Sequence, residues 1–178
     1  MVERLVERIR NHDQRAMSEL YQRYVGALTS VCYRYVPSES DAKDVLQNSF
    51  VKIFTALPTF DYRDEPSFKN WMVKVVVNES LHFLRGHKRI RLTDLHEADK
   101  LLADEGEQPD MEKISAEELH RLIRELPDGY RTVVNLYVFE GYSHEQIAAL
   151  LGIKEATSSS QFYYAKRLLA KKIRNLKR

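Results

Sequence analysis

Apolar residues recur at three- and four-residue steps through much of the first 92 positions, which is the spacing of amphipathic α-helices. The first stripe contains Leu20, Tyr21, Tyr24, Leu28, Val31, Cys32 and Tyr35. After Pro37 a second stripe contains Val45, Leu46, Phe50, Ile53, Phe54 and Leu57. A third helix is predicted from Pro66 to about Gly86. Because no alternating pattern of any length indicates a strand, the sequence predicts an all-α protein.

The last third of the chain carries two capping boxes, in which a serine caps a helix and the side chain three positions later bonds back to the serine amide. The two pairs are Ser115 with Glu118 and Ser143 with Gln146. Between them, an apolar run predicts a helix that ends at Gly141. With the helix that follows Gly152, these signals predict a compact domain of four helices.

Gly152 can adopt a positive φ just past the end of a helix, so the chain turns there and a new helix begins, as in a helix-turn-helix. One stripe of the new helix is predicted to be buried: Ser158, Phe162, Ala165, Leu169 and Ile173. The opposite stripe is polar and basic: Ser159, Ser160, Tyr163, Arg167 and Arg174. Such a face suits a helix that enters a major groove and then meets phosphates. An ordinary helical hairpin with a solvated basic face is the alternative.

The helix predicted from Pro66 has a mixed aromatic and basic face. At 100° per residue, five side chains fall within an arc of about 80°: Trp71, Lys74, Asn78, His82 and Arg85. The preceding segment FDYRDEPSF is expected to expose Phe60, Tyr62 and Phe68 beside Arg63. Aromatic rings beside cations are what single-stranded DNA binding requires, since each stacked base contributes about 1–3 kcal/mol. Alternatively, Trp71 and Phe68 only pack in a helical core.

The formal net charge of +2 conceals an uneven distribution. Residues 1–92 hold 15 Lys and Arg against 11 Asp and Glu, residues 93–118 hold 2 against 10, and residues 119–178 hold 11 against 5. Two basic bodies are therefore joined by an acidic segment. Because its leucines show no sustained periodicity, that segment is predicted to be a mostly unstructured linker.

Other features of the sequence argue against several functional classes. Cys32 is the only cysteine and lies on an apolar stripe, which predicts a core residue in a reducing compartment. The chain shows no secretory signal and no apolar run long enough to span a bilayer, so we expect a cytoplasmic protein without membrane insertion. The six histidines are scattered, and no metal or phosphate-loop motif occurs. We therefore expect no catalysis, metal, cofactor or small-molecule substrate.

Four segments resemble, in order, regions 2 and 4 of an extracytoplasmic-function (ECF, group IV) sigma factor of bacterial RNA polymerase, within the sigma-70 family. They are SELYQRYVGALTSVCYRYV, SDAKDVLQNSFVKIF, FKNWMVKVVVNESLHFLR and LPDGYRTVVNLYVFEGYSHEQIAALLGIKEATSSSQFYYAKRLL. The resemblance implies two small helical domains: sigma region 2 over 1–92, an acidic flexible linker over 93–114, and a helix-turn-helix sigma region 4 over 115–178. It also implies binding to core RNA polymerase and promoter DNA, promoter-specific initiation, and control by an anti-sigma factor.

The resemblance assigns roles to individual residues as well. It implies core polymerase binding by Asp41, Asp44, Gln47 and Asn48, on a polar face that would otherwise only be solvated. It implies recognition and melting of the minus-10 element by Phe60, Tyr62, Arg63, Trp71, Lys74, Asn78, His82 and Arg85. It implies binding of the minus-35 duplex by Thr157, Ser159, Ser160, Tyr163, Tyr164, Lys166 and Arg167.

Two departures from the family pattern affect these assignments. The loop FDYRDEPSFKNW is longer than the common family spacing, so Phe60, Tyr62 and Arg63 are all candidates for the pocket of a flipped base. The helix that follows Gly152 is the recognition helix of the helix-turn-helix. Positions that in this family often hold valine, a cation and arginine are occupied here by Ser158, Ser159 and Gln161. We expect weaker or different minus-35 discrimination, because bidentate pairing of arginine with guanine is the strongest direct readout.

Two other functional classes are compatible with parts of the chain. A stand-alone helix-turn-helix repressor would explain the second body, although such proteins normally dimerise on a palindrome. A helical adaptor that binds only proteins would explain the acidic segment, but it leaves the two basic bodies unexplained. Adding the chain to core RNA polymerase distinguishes the three hypotheses, because only a sigma factor gives the polymerase promoter-specific initiation.

Overall fold

The structure, a computed structural model, describes residues 1–86 and 114–176. Within those ranges the chain is helical and contains no strand, which confirms the predicted all-α class. It divides into two compact units, Met1–Leu84 and Arg85–Arg178. The predicted linker lies outside the described residues except for Ile114.

Four helices and one short 3-10 turn build the first unit. They are α1 Val2–Arg10, α2 Gln14–Tyr35, α3 Glu39–Ala56, the 3-10 turn Leu57–Thr59 and α4 Glu65–Gly86. The side chains of Asp13 and Ser38 cap the first amides of α2 and α3. The two helical stripes and the third helix predicted for this part of the chain are therefore confirmed. Its core includes Leu20, Leu28, Tyr35, Ile53, Met72 and Leu81, all fully buried.

Two features of the first unit differ from the sequence predictions. The structure adds α1, whose apolar face Val2, Leu5, Val6 and Ile9 is buried. It also contradicts the expected exposure of Phe68, which is fully buried. Phe68 lies one helical turn before Met72 on the same face of α4, so its ring points into the core rather than into the solvent.

Cys32 is a core residue, as predicted, and lies at the centre of the first unit. Its thiol is within 3.6 Å of the Ala42 carbonyl oxygen and 3.9 Å of Ser80 Oγ. Burial raises the pKa of the Cys32 thiol to about 11. The group is therefore a neutral packing element at physiological pH.

Four helices lie in residues 114–176 of the second unit, as predicted. They are α5 Ala116–Arg124, α6 Asp128–Val134 with a π-helical continuation Asn135–Phe139, α7 His144–Leu151 and α8 Glu155–Leu176. Both predicted capping boxes form, at Ser115 and at Ser143. Gly141 and Gly152 have φ values of 71° and 68°, so both helices end in the left-handed conformation that glycine favours.

The turn between α5 and α6 is held by a buried arginine. Arg131 is only 3% exposed, and its Nη1 donates to the carbonyl oxygens of Leu126 at 2.7 Å and Arg124 at 3.3 Å. Its Nη2 pairs with the carboxylate of Asp128. The guanidinium thus satisfies carbonyls that the end of α5 leaves without helical partners.

The inner stripe of α8 closes the core of the second unit. Ser158, Ala165 and Ile173 are buried, while Phe162 and Leu169 are half-buried. Ala165 packs in one cluster with residues from α5, α6 and the turn between them: Ile123, Leu126, Tyr130 and Val134. The predicted buried stripe is therefore confirmed. No helix in residues 1–86 or 114–176 is long and apolar enough to cross a membrane.

Candidate nucleic-acid interface

The first candidate surface is the outer face of α4. Four of its predicted residues, Lys74, Asn78, His82 and Arg85, are exposed, and Trp71 is half-buried. Their common face follows from the helical period, which returns to the same side every three to four residues. The opposite side of α4 supplies Phe68, Met72 and Val76 to the core. The helix is thus anchored by one face and presents a polar, basic face to solvent.

The loop of residues 60–64 leads into α4 and joins its aromatic rings to Trp71. The ring centroid of Phe60 lies 4.4 Å from that of Trp71 and 5.4 Å from that of Phe68. The ring of Tyr62 lies 5.8 Å from Phe68, which forms the buried floor of the cluster. Arg63 is exposed, with its Nε 3.4 Å from Asp61 Oδ2. The loop therefore presents half-buried rings beside an exposed cation.

Two carboxylates fix the end of this loop where α4 begins. Asp64 Oδ1 accepts a hydrogen bond from the Ser67 amide at 2.7 Å, which holds the pKa of Asp64 below its ordinary value. Glu65 pairs with Arg23 at 2.8 Å, and its Oε1 also accepts from the Tyr24 hydroxyl at 3.1 Å. The hydrogen bond from Arg23 is the main cause that lowers the pKa of Glu65. Both carboxylates are thus kept ionised, and the loop has a fixed exit.

This arrangement can bind an unpaired strand through two kinds of contact. Half-buried rings in the cluster can stack on bases, and the neighbouring cations can contact the phosphodiester backbone. A fixed floor and a fixed exit lower the entropy lost when the loop meets a ligand. Among residues 1–86 and 114–176, no group of three or more His, Cys, Asp or Glu side chains is placed to hold a metal ion.

The second candidate surface is the outer face of α8. Ser159, Lys166 and Tyr163 are exposed, the last with 51% of its surface accessible. Arg167 is half-buried; its Nη1 lies 3.4 Å from the Tyr163 hydroxyl, and its guanidinium lies 5.8 Å above the Tyr163 ring. Lys166 Nζ lies 5.1 Å above the half-buried Phe162 ring. Aromatic neighbours thus orient both cations along the helix face.

The remaining residues predicted for this surface are less accessible. Thr157, Ser160 and Tyr164 are half-buried. The Tyr164 ring lies 6.5 Å from that of Tyr130, and it packs against the core cluster of the second unit. The structure thus brings Ser159, Tyr163 and Lys166 together on the open face and places Tyr164 at its edge.

The start of α8 is fixed by polar contacts with α7. His144 Nδ1 lies 2.9 Å from Ser158 Oγ, and the His144 ring stacks on that of Tyr137 at 4.6 Å. Gln161 is 3% exposed, and its Oε1 has no hydrogen-bond partner in the part of the chain that is described. Ser158 and Gln161 therefore face the interior, and they are not positioned to meet base edges.

The face of α3 predicted to bind polymerase is accessible. Asp44, Gln47 and Asn48 are exposed, and Asp41 is half-buried. The sequence prediction did not include Val51, which is 60% exposed one turn beyond Asn48 and two turns beyond Asp44. Asp44, Asn48 and Val51 are spaced by four and three residues and so share one helix face, and this spacing could have identified Val51 from the sequence. The face therefore combines polar groups with an exposed apolar side chain, which a purely solvated surface does not require.

Comparison with protein families identifies both units. The sigma-70 region 2 family matches residues 20–90, and the sigma-70 region 4 family matches residues 116–169. An ECF RNA polymerase sigma-E factor of Haemophilus influenzae is 31% identical over 183 residues, covering 97% of this chain and 95% of the relative. That of Salmonella typhimurium is 32% identical over 184 residues, with 97% and 94% coverage. That of Escherichia coli is 31% identical with the same coverage.

Two solved structures share the fold. CnrH, solved in complex with the cytosolic domain of CnrY, is 23% identical with a TM-score of 0.50 over 96% of each chain. The sigma factor RpoE of Bartonella quintana, solved with the anti-sigma factor NepR, is 18% identical with a TM-score of 0.50, covering 90% of this chain and 98% of that one. The helical architecture described above is thus found in other proteins.

Proposed function

This chain belongs to the extracytoplasmic-function sigma factors of the sigma-70 family, and we propose from that premise how its parts divide the work of transcription initiation. It is a transcription initiation factor that binds core RNA polymerase and promoter DNA. The polymerase supplies the chemistry of RNA synthesis. We assign region 2 to residues 1–92, a linker to residues 93–114 and region 4 to residues 115–178.

The first unit is proposed to recognise and melt the minus-10 element. The observation that carries this assignment is the half-buried aromatic cluster of the 60–64 loop beside the basic face of α4. Unstacking a base costs a few kcal/mol, and stacking on protein rings offsets it. The set proposed to bind this DNA is Phe60, Tyr62, Arg63, Trp71, Lys74, Asn78, His82 and Arg85.

Within the loop, Tyr62 and Arg63 are the proposed contacts to a flipped base. Phe60 is already engaged, because its ring packs on Trp71 and meets Phe68 edge-on. Tyr62 touches only the edge of the cluster, and Arg63 extends into solvent. Phe60 is therefore proposed to support the pocket, while Tyr62 and Arg63 line it.

The second unit is proposed to bind the minus-35 element as duplex. Ser159 and Tyr163 on the open face of α8 would meet base edges, with Thr157, Ser160 and Tyr164 beside them. Lys166 and Arg167 would contact phosphates. Because the inward-facing Gln161 cannot replace an arginine at guanine, we expect discrimination there to depend on hydroxyl contacts and DNA shape.

The α3 face is proposed to bind core polymerase, through Asp41, Asp44, Gln47 and Asn48. Val51 adds an apolar contact at the same face, as expected for a protein interface that buries a small apolar centre within a polar rim. Because this family is often regulated by sequestration, an anti-sigma factor is also a proposed partner.

A charge-matched pair of variants tests the minus-10 assignment. Lys74 lies on the proposed DNA face, whereas Lys69 is also exposed but lies about 140° away around α4. Each would be changed to alanine, and Trp71→Ala would be made in parallel. The variants would be added to Escherichia coli core polymerase on templates selected by the wild-type chain from a pool with random upstream sequence. Permanganate reactivity of thymines would report melting.

We expect Trp71→Ala and Lys74→Ala to lower permanganate reactivity while polymerase binding is retained. Lys69→Ala should behave like the wild type. Equal losses for the two lysine variants would show that only net charge matters. Specific DNA binding by the chain alone, without any effect on polymerase, would support the repressor hypothesis instead, and binding to neither would support the adaptor.

A further inference from the structure

Helix α1 is fixed firmly on the first unit by apolar and ionic contacts. Its apolar face of Val2, Leu5, Val6 and Ile9 is buried. On the outside, Arg8 Nε pairs with Asp13 at 2.8 Å and its Nη1 pairs with Glu19 at 2.9 Å. The hydrogen bond from Arg8 is the main cause that lowers the pKa of Asp13. The last turn of α1 therefore has a defined position relative to α2.

That last turn carries Arg10, whose side chain reaches the loop before α4. Arg10 Nη2 donates a hydrogen bond to the carbonyl oxygen of Phe60, 50 residues away in sequence. The Phe60 amide, in turn, donates to the Leu57 carbonyl oxygen at 3.2 Å and so closes the 3-10 turn. Phe60 is the first residue of the loop, and both of its backbone polar groups are thus engaged.

The position of the Phe60 backbone sets which neighbours its ring can reach. That ring lies 4.4 Å from Trp71 and is the only link between the start of the loop and the outer face of α4 among the ring contacts in the described residues. At its other end the loop is held by Asp64 and Glu65, as described above. Arg10 therefore completes a second anchor, and the three residues between the two anchors are left to meet a ligand.

We propose that Arg10 is a positioning residue for the promoter-melting loop: by holding the Phe60 carbonyl it keeps the Phe60 ring on Trp71 and so preorganises the loop for the displaced strand. This inference rests on the proposed function of the first unit. Arg10 itself needs no contact with DNA for this role. Through the Arg10 side chain, helix α1 thereby contributes to promoter melting.

The chain alone provides the first test, because Trp71 is its only tryptophan and reports on the Phe60 ring directly. Arg10→Gln is expected to increase acrylamide quenching of Trp71 fluorescence, since the ring that covers it is released. Arg4→Gln is the matched control, because Arg4 is also exposed on α1 and the same charge is removed. Circular dichroism would verify that each variant keeps its helices. Unchanged quenching in Arg10→Gln would contradict the proposal that Arg10 holds the Phe60 ring on Trp71.

The second test uses the complex with core polymerase on a selected promoter. Arg10→Gln should lower the yield of permanganate-reactive complex roughly three- to tenfold, the range expected for one net hydrogen bond. Polymerase affinity should stay unchanged, and Arg10→Lys, whose charged donor reaches farther than the shorter glutamine amide, should recover part of the loss. An equal loss in Arg4→Gln would assign the effect to charge and overturn the proposal. Failure of the wild-type chain to open any promoter would instead reject the proposed function. The quenching result would still decide whether Arg10 holds the Phe60 ring on Trp71.

Discussion

Replacing Arg131 with methionine should selectively destabilise the second unit. The substitution approximates the side-chain volume but removes the guanidinium that binds the carbonyl oxygens of Arg124 and Leu126. It also leaves the Asp128 carboxylate, with 26% of its side chain exposed, without its partner. Hydrogen bonds to a charged group contribute about 1.5–3 kcal/mol each. We therefore expect a loss of about 3–5 kcal/mol, the usual result of removing one member of a buried ion pair.

Two optical probes distinguish this loss from a global effect. Trp71 reports only on the first unit, whereas far-ultraviolet circular dichroism reports on both. In Arg131→Met, the dichroism should acquire an early unfolding transition, displaced by about 4–8 °C for each kcal/mol lost. The Trp71 transition should stay where it is. Thermal unfolding of the full chain, followed by both signals, measures the two together.

Arg124→Met is the matched control, since Arg124 is exposed at the end of α5 and its carbonyl is retained. Its effect should stay within about 0.5 kcal/mol, as for most surface substitutions. If Arg131→Met were as mild as this control, the buried guanidinium would not be what holds the α5–α6 turn. A parallel shift of both probes would contradict a selective loss in the second unit.

Two further outcomes follow from backbone conformation and burial. Gly152→Ala should lower the free energy of unfolding of the second unit in urea titrations, because an L-residue at φ 68° costs about 1–2 kcal/mol and no atom within 4 Å adds a clash. Gly26→Ala inside α2 should raise the free energy of unfolding of the first unit by about 0.5–1 kcal/mol. Changes of the same sign in the two variants would contradict this. The raised pKa of Cys32 should contribute stability that is complete below pH 9 and is lost between pH 9 and about 11, because the unfolded thiol ionises first. This loss of unfolding free energy, at most about 2–3 kcal/mol, should be absent from Cys32→Ala when urea titrations are made across that pH range. An identical pH dependence of stability in both proteins would contradict the prediction.

Much of the fold could be predicted because its signals are local. Ser115, Ser143 and Gly152 mark helix ends through bonds and dihedral angles within a few residues, and all three behave as predicted. The buried stripe of α8 was predictable for the same reason, since helical period alone places Ser158 and Ala165 on one side. Helix α1 could have been found from the same period in Val2, Leu5, Val6 and Ile9.

The remaining features depend on contacts between distant segments. Phe68 was expected to be exposed with the segment before α4, with packing in a helical core as the alternative, and the core of the first unit encloses it. The bond from Arg10 to the Phe60 carbonyl joins residues 50 positions apart, and no periodic pattern encodes it. Such features require the packed structure.

Helix α8 closes the core with one side and carries the proposed minus-35 face on the other, and this separation affects how the protein can evolve. Substitutions at Ser159 or Tyr163 alter an outward side chain and leave the interior intact, so binding preference can drift there at little thermodynamic risk. A change at Gln161 instead disturbs the interior, and it requires compensation elsewhere. New promoter preferences in close descendants should therefore accumulate on the outward positions first, while the inward glutamine persists.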